Sequence, residues 1–380
     1  MSIGNKIYAG LRGDRTIWMV LILLSIISLL AVYSATGLYA YQKYGGNMEA
    51  ALFKHLVFLG GGLFLTYIFY TLHYRQYMRV SPVLLIICIP LLVYTLGFGI
   101  EVNEAKRWVE VPFIGLTFQT SEFAKLVLII YVARAISAKQ EYIKDFQSAF
   151  LPIIVPILII CSLIAPSDLS SAMLLFSVTI GMMFLGRVAL KYILLLVVLG
   201  VVVFAFLIIL GELYPDLVRS ATWIARLKEW WIPDTLMDGS YQIKHSKIAI
   251  ADGEIFGVGP GNSSMRNYLP APYSDFVFSI ICEEYGLVGA FVTLSLYVLL
   301  FFRCVGVVTR APKAFGAMLV MGLGLLLVGQ ALANMAVAVD LVPVTGLTLP
   351  LLSMGGTSIM FTCIAFGMIL SVSRYIEKAT

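Results

Sequence analysis

Charge is what this chain has least of. Asp, Glu, Lys and Arg make up only 12% of its 380 residues, about half the share usual in soluble domains, which excludes an ordinary water-facing fold. The 26 basic residues exceed the 21 acidic ones by a formal +5, but no block concentrates them, so nucleic acid is excluded as a partner. Cysteine is scarce too. Cys88, Cys161, Cys282, Cys304 and Cys363 lie in or beside apolar runs, with no C-x-x-C pair, which argues against a disulfide framework and against a zinc site. The glycine run GVGPGN at 257–262 follows no strand and lacks the P-loop pattern, leaving only a weak likeness to a phosphate-cradling loop. Missing as well is a small-residue cleavage site after the first apolar run, which is therefore expected to be retained as a membrane span.

What is present in abundance is apolar length. Hydrophobic residues reach 60% and the mean hydropathy is +0.95, the signature of a polytopic membrane protein. Runs long enough to cross a bilayer fall at roughly 17–39, 51–71, 82–100, 121–136, 150–165, 168–186, 189–211, 276–302, 314–338 and 347–373. The expected fold is all-α, with about ten transmembrane helices in a single domain over 1–380. Only Pro166, Ser167 and Asp168 separate the fifth run from the sixth, so a re-entrant pair is an alternative there.

Lys and Arg orient the chain. Lys6, Arg12 and Arg15, then Arg75 and Arg79, then Arg134, Lys139 and Lys144, then Arg187 and Lys191, then Arg303, Arg310 and Lys313, then Arg374 and Lys378 fall on one side. By the positive-inside rule that side, with both termini, is cytoplasmic. The opposite side receives one large extracytoplasmic loop, 212–274, between helices 7 and 8, longer than a simple connection needs. Its TWIARLKEWWIP stretch, with Trp223, Trp230, Trp231, Arg226 and Lys228, reads as an interfacial amphipathic helix or a lipid-substrate contact, and SYQIKHSKIAIAD reads as a second helix ended by Gly253.

Acidic and basic residues inside such a chain need partners or water. Asp275 stands where the glycine-rich loop enters the eighth apolar run; Glu122 and Lys125 share a face near the outer end of the fourth; Asp168 opens the sixth. Arg107 with Trp108, and the interrupted tail from Ser353 through Gly355, Gly356 and Ser358, lie on the same outer side. Each has a structural reading. Ser274 and Asp275 are common helix caps, Glu122 and Lys125 make an ordinary ion pair with Asp168 as cap or third partner, Arg107 serves as an interfacial anchor, and the glycines serve packing. Together they point to a polar cavity facing the outer leaflet, compatible with a transporter or an enzyme.

Five ordered segments narrow this choice. KRWVEV with QTSEFAKL, PSDLSSAM, the stretch from GSYQIKHSKIAIADGEIFGVGPG to IICEEYGLVGA, and NMAVAVDLVPVTGLTLPLLSMGGTSI span most of the chain. In that order they resemble the motifs of the SEDS family (shape, elongation, division and sporulation), bacterial membrane glycosyltransferases that polymerise lipid II. The forms GVGPGNS, YLP and GLTLP are more similar to the division-type branch than to the elongation type. Thr120, Ala271, Tyr273 and Met354 depart from the common pattern, where proline, glutamate, histidine and tyrosine are usual; no catalytic role is assigned at 271 or 273.

The resemblance implies that Asp275 is the general base. It would take the proton of an acceptor sugar 4-hydroxyl as that oxygen displaces polyprenyl pyrophosphate from the donor's anomeric carbon, with inversion. Cationic help for the leaving group is expected from Lys125, Arg107 and Arg266, with Glu122 and Asp168 holding Lys125. A helix start at Asp275 would help keep its carboxylate ionised. Ser274, Ser358 and the backbone at Gly355, Gly356 and 257–261 would line the substrate, with apolar walls for the lipid tail. No dedicated metal motif is present, and a divalent cation, Mg or Mn, is compatible with the carboxylates. The partners implied are lipid II, a class B penicillin-binding protein transpeptidase, small bitopic membrane proteins of the division complex, and membrane lipids. The implied location is the bacterial inner membrane at the septum. A lipid II flippase, an elongation-type polymerase and a non-catalytic transpeptidase scaffold are the alternatives.

Overall fold

A computed structural model describes residues 12–37, 47–102, 105–110, 117–213 and 238–377, together with Trp223, Ile224, Arg226, Trp230 and Trp231. The described residues form eleven α-helices: α1 (Arg15–Ala35), α2 (Met48–Thr71), α3 (Tyr74–Phe98), α4 (Thr120–Ala138), α5 (Leu151–Ile164), α6 (Leu169–Leu185), α7 (Leu190–Leu213), α8 (Asp238–Asp252), α9 (Val277–Arg310), α10 (Ala314–Ala338) and α11 (Thr357–Glu377). Seven helical stretches are long and apolar enough to cross a membrane: Arg15–Ala35, Glu49–Thr71, Tyr74–Phe98, Phe146–Ile164, Val277–Arg310, Ala314–Ala338 and Thr357–Ile376. The protein is thus multi-pass. Of the ten expected spans, the fourth falls outside this set because α4 carries Glu122, Lys125 and Arg134, and the sixth because Leu169–Leu185 is shorter; the seventh, α7, is a 24-residue helix over Leu190–Leu213.

Burial separates the helices by role. Away from their ends, α2, α3 and α7 expose many large apolar side chains, including Phe64, Ile86 and Val201, as a lipid-facing surface requires. Nearly every position of α4 from Thr120 to Ile136 is buried, and α4 packs against α3, α10 and α6. A helix enclosed on all sides can carry charge that lipid would not accept.

Two expectations are corrected here. The chain is not purely helical: Ile100–Val102, Ala105–Glu110 and Thr117–Gln119 form a small antiparallel sheet, β1-β2-β3, in which Trp108 faces Gln119. The last span does not begin at 347. Pro343, Gly346, Pro350 and the Gly355-Gly356 pair keep residues 341–356 irregular, and α11 starts at Thr357. Leu347, Leu349, Leu351 and Leu352 are nevertheless buried; irregular backbone of this kind survives at membrane depth only when protein encloses it. Of the interfacial stretch expected around Trp223–Trp231, only five residues are described, and the loop of the 40s lies outside the described residues from 38 to 46.

The break in α9 organises the region around Asp275. At Gly286 the backbone leaves the helical region (φ 64, ψ −160), separating the amides of Leu287 and Val288 from the carbonyls of Glu283 and Glu284 that a continuous helix would give them. Loop 254–259 fills both halves. Its carbonyls at Glu254 and Ile255 accept from Leu287 (2.9 Å) and Val288 (3.2 Å), and its amides at Val258 and Gly259 donate to Glu283 (2.9 Å) and Glu284 (3.1 Å). The fit demands glycine. A Cβ on Gly257 (φ +81) would lie 2.1 Å from the Glu284 carbonyl oxygen, and one on Gly286 2.3 Å from that of Ile255. Gly306, farther along α9, has open space at the same position.

Gly257→Ala is therefore expected to destabilise the protein by on the order of 3 kcal/mol. Gly306→Ala is expected to leave it unchanged or stabilise it by up to about 1 kcal/mol. Thermal unfolding of the detergent-solubilised protein compares the two; a Gly257→Ala melt matching the parent would contradict the stitched geometry.

Candidate active site

Asp275 sits two residues ahead of α9, on a tight bend in which its amide and that of Ser274 both donate to the carbonyl of Ala271 at 3.2 Å. It is not the helix cap: Phe276 takes that position, and no side chain caps α9. The carboxylate is thereby left free of the helix, half-buried, with Oδ1 accepting from the Ser274 hydroxyl at 2.8 Å. The backbone of Gly346 closes the other side, where a Cβ would come within 3.8 Å of Oδ2.

Crowding by these walls pushes the Asp275 carboxyl above its ordinary value. The Ser274 hydrogen bond and the charges of Arg226 and Arg107 pull it back, and Asp168 pushes it up. The helix-start expectation would have lowered the value; burial raises it instead. The same crowding, with the Asp275 charge, raises the Tyr273 phenol.

Three separate elements bring those charges together. Arg107, on β2, donates from Nε to the carbonyl of Ser167 at 2.6 Å and places Nη1 3.9 Å from Oδ2 of Asp168. Asp168 caps α6 through the Ser171 amide (3.1 Å) and hydroxyl (2.9 Å), and Gln119 Nε2 reaches it at 3.5 Å. Arg226 comes from the large loop and donates to the carbonyl of Val344 at 3.2 Å, two residues from Gly346. Trp230 Nε1 lies 3.4 Å from the carbonyl of Asp340. Arg226 and Trp230, from the stretch read as an interfacial helix, therefore bond to the loop before α11.

Glu122 and Lys125 are joined as expected, at 2.6 Å, but Asp168 is not their partner. Lys125 is enclosed, with 1% of its side chain exposed, and its second bond runs to Gln330 on α10 at 3.2 Å. Gln330 in turn donates to the carbonyl of Thr348 at 2.9 Å, so the pair braces the loop beneath Asp275. Arg266 turns elsewhere, donating to the carbonyl and hydroxyl of Ser34 at 3.3 and 3.4 Å. Gly355, Gly356 and Ser358 form the turn into α11, with the Ser358 amide on the carbonyl of Gly355 at 3.0 Å and Gly356 near Phe58. The Thr357 hydroxyl, 3.4 Å from the carbonyl of Thr117, links that turn to β3.

The glycine run does not cradle an anion. Besides the stitch described above, the amides of Gly261 (3.0 Å), Ser264 (2.7 Å) and Met265 (3.2 Å) donate to the side chains of Glu284 and Glu283. Glu284 also takes the Ser34 hydroxyl, and Glu283 the Ser263 hydroxyl at 2.5 Å. Two buried carboxylates thus occupy the place a phosphate would have taken. Among the described residues no group of three or more His, Cys, Asp or Glu side chains could hold a metal ion.

Arg226, Gln119, Gln330, Glu283 and Glu284 are contributors that motif reading missed. The two glutamates carry the one usable signal, since consecutive acids inside an apolar run require buried donors.

The family profile FtsW/RodA/SpoVE, described as cell cycle protein, matches residues 14–378. Stage V sporulation protein E of Bacillus subtilis is 31% identical over 95% of this chain and 97% of its own. A probable peptidoglycan glycosyltransferase FtsW of Trichlorobacter lovleyi is 32% identical over 96% and 94%. A solved chain from a peptidoglycan synthase complex that coordinates polymerization and crosslinking superposes with a TM-score of 0.73 at 25% identity, covering 96% of this chain and 98% of that one.

Two stability results follow from the site. Lys125→Met leaves Glu122 buried without its cation and is expected to cost about 3 kcal/mol or more; adding Glu122→Gln should recover a large part of it, as thermal unfolding of the single and double variants will report. The second concerns Asp275. Its folded-state value is raised, so stability falls as pH climbs from the unfolded value toward the folded one, and the penalty is fully present above both. Asp275→Asn is expected to melt higher than the parent above both values, and to lose that advantage at acid pH.

Proposed function

The chain belongs to the FtsW/RodA/SpoVE family of cell cycle proteins, and we propose that it is a peptidoglycan glycosyltransferase that joins lipid II into glycan strands during septal wall synthesis. The observation that carries this reading is the half-buried acid Asp275, its carboxyl raised by its walls and faced by the charges of Arg107 and Arg226. A carboxylate whose pKa lies above the usual range is a stronger base, and the two cations suit a departing pyrophosphate.

In this mechanism the acceptor's 4-hydroxyl gives its proton to Asp275 as its oxygen bonds to the donor's anomeric carbon. The bond from that carbon to the pyrophosphate breaks with its electron pair on the leaving oxygen, and one in-line displacement inverts the centre. Arg107 and Arg226 meet the charge that develops on the pyrophosphate, and Ser274 orients the carboxylate through its 2.8 Å hydrogen bond. Lys125 and Glu122 act from within, through Gln330 and Thr348. No step runs through a metal.

The ten apolar runs are ten crossings of the inner membrane with both termini in the cytoplasm. The segment 212–274 and the sheet then lie outside, where lipid II arrives with its polyprenyl tail between helices. A class B transpeptidase that crosslinks the new strands is the expected partner, in keeping with the synthase complex that this chain resembles. Small bitopic division proteins act on that pair.

Purified protein with its transpeptidase should polymerise lipid II, and Asp275→Asn should lower the rate by about 100-fold or more. Full activity in that variant would remove Asp275 from the base position. The base works ionised, so the rate should fall as pH drops through its raised value, giving an acid limb above the ~3.9 of an ordinary aspartate. Arg107 pulls that value down, so Arg107→Gln should move the limb to higher pH; a rate–pH profile of the two proteins decides it.

A further inference from the structure

The carbonyls just ahead of a membrane helix pose a problem of their own. Within α9 the first helical bonds run from Ser279 (3.0 Å) and Ile280 (3.3 Å) to Phe276, so the carbonyls of Tyr273, Ser274 and Asp275 have no partner in the helix. In a water-poor setting each needs a donor from elsewhere. Three consecutive carbonyls receive three donors from one neighbouring region: the Met354 amide reaches Tyr273 at 2.8 Å, the Ser353 hydroxyl reaches Ser274 at 2.5 Å, and Asn334 Nδ2 reaches Asp275 at 2.8 Å.

Both side chains are fixed from behind. Ser353 Oγ accepts from the Leu349 amide at 2.7 Å, which commits its proton to Ser274. Asn334 Nδ2 donates its second hydrogen to the carbonyl of Leu347 at 2.7 Å. Flipping that amide would set its oxygen against two carbonyls, so the partners fix its orientation. Asn334 is 1% exposed and Ser353 2%, so solvent cannot replace either. The loop they belong to or touch is held independently, by the Tyr297 hydroxyl on the carbonyl of Pro350 (2.5 Å) and the Ser28 hydroxyl on that of Leu351 (2.7 Å).

We infer that Asn334 and Ser353 are positioning residues for the transferase reaction: they clamp the backbone that carries Asp275 and so set where its carboxylate stands. Neither touches the carboxylate, so neither is a proton carrier. The inference rests on Asp275 as the base. Positioning of this kind acts on the rate at saturation more than on substrate binding, because a misplaced base loses its alignment with the acceptor hydroxyl while the sugar contacts persist.

The test uses full-length protein with its transpeptidase, and reads lipid II polymerisation together with amide hydrogen exchange over residues 271–280. Ser353→Ala and Asn334→Leu should each lower kcat tenfold or more with KM within about twofold, and speed exchange in that segment. Ser353→Thr, which keeps the hydroxyl, should recover most of the rate and the protection. Should Ser353→Ala fail to fold, Ser353→Cys keeps the volume with a weaker donor and should give an intermediate kcat. Parental kcat in the Cys or Ala variant, or an unchanged exchange rate in Asn334→Leu, overturns the clamp. Asp275→Asn separates the two ideas. Inactive Asp275→Asn beside fully active clamp variants removes this inference alone, whereas active Asp275→Asn removes the base and the inference with it.

Discussion

Every backbone amide and carbonyl at membrane depth must find its partner inside the chain, and the half of this protein around Asp275 is shaped by the places where a helix does not supply one. The break at Gly286 frees two amides and two carbonyls, and loop 254–259 takes all four. The irregular stretch before α11 is a second such place, satisfied by Gln330, Asn334, Tyr297 and Ser28. Asp275 stands between the two. Its position follows from how unpaired backbone was satisfied on either side.

The same reasoning accounts for the buried charges. Lys125 and Glu122 would be intolerable on a lipid-facing helix, and α4 is the one enclosed by α3, α6 and α10. Glu283 and Glu284 are paid for by a set of amides and hydroxyls from the loop above them. Such sites are costly to desolvate, which ties them to fixed geometry. Around Asp275 the satisfaction is incomplete. One hydroxyl and the charges of two arginines offset only part of the desolvation that pushes its carboxyl above the ordinary value.

Much of the helical layout was legible in the sequence, because apolar runs of membrane length have few other uses. Asp275, Asp168, Arg107 and the Glu122–Lys125 pair stood out as charges with no business in lipid. What was not legible was who pairs with whom. Asp168 caps α6, one of the two roles read for it, but its charged partner is Arg107, placed there by a sheet that three- and six-residue strands do not advertise. Arg226 looked interfacial because its docking surface, the loop at 340–346, is distant in sequence. The glycines at 257–261 suggested an anion, whereas the amides of Val258, Gly259 and Gly261 were already promised to two glutamates farther along the chain.

The break in α9 also divides that helix mechanically. Residues 287–310 form a long rod with apolar side chains such as Phe291 and Phe302 turned outward, whose tilt answers to bilayer thickness. The stub from Val277 to Tyr285 is bound instead to loop 254–265 at one end and to the region before α11 at the other. Asp275 rides on the stub. Loop 254–259 bonds to Leu287 and Val288 of the rod as well as to Glu283 and Glu284 of the stub, so the two halves are tied across Gly286 and the seat of Asp275 is coupled to the tilt of the rod through that loop.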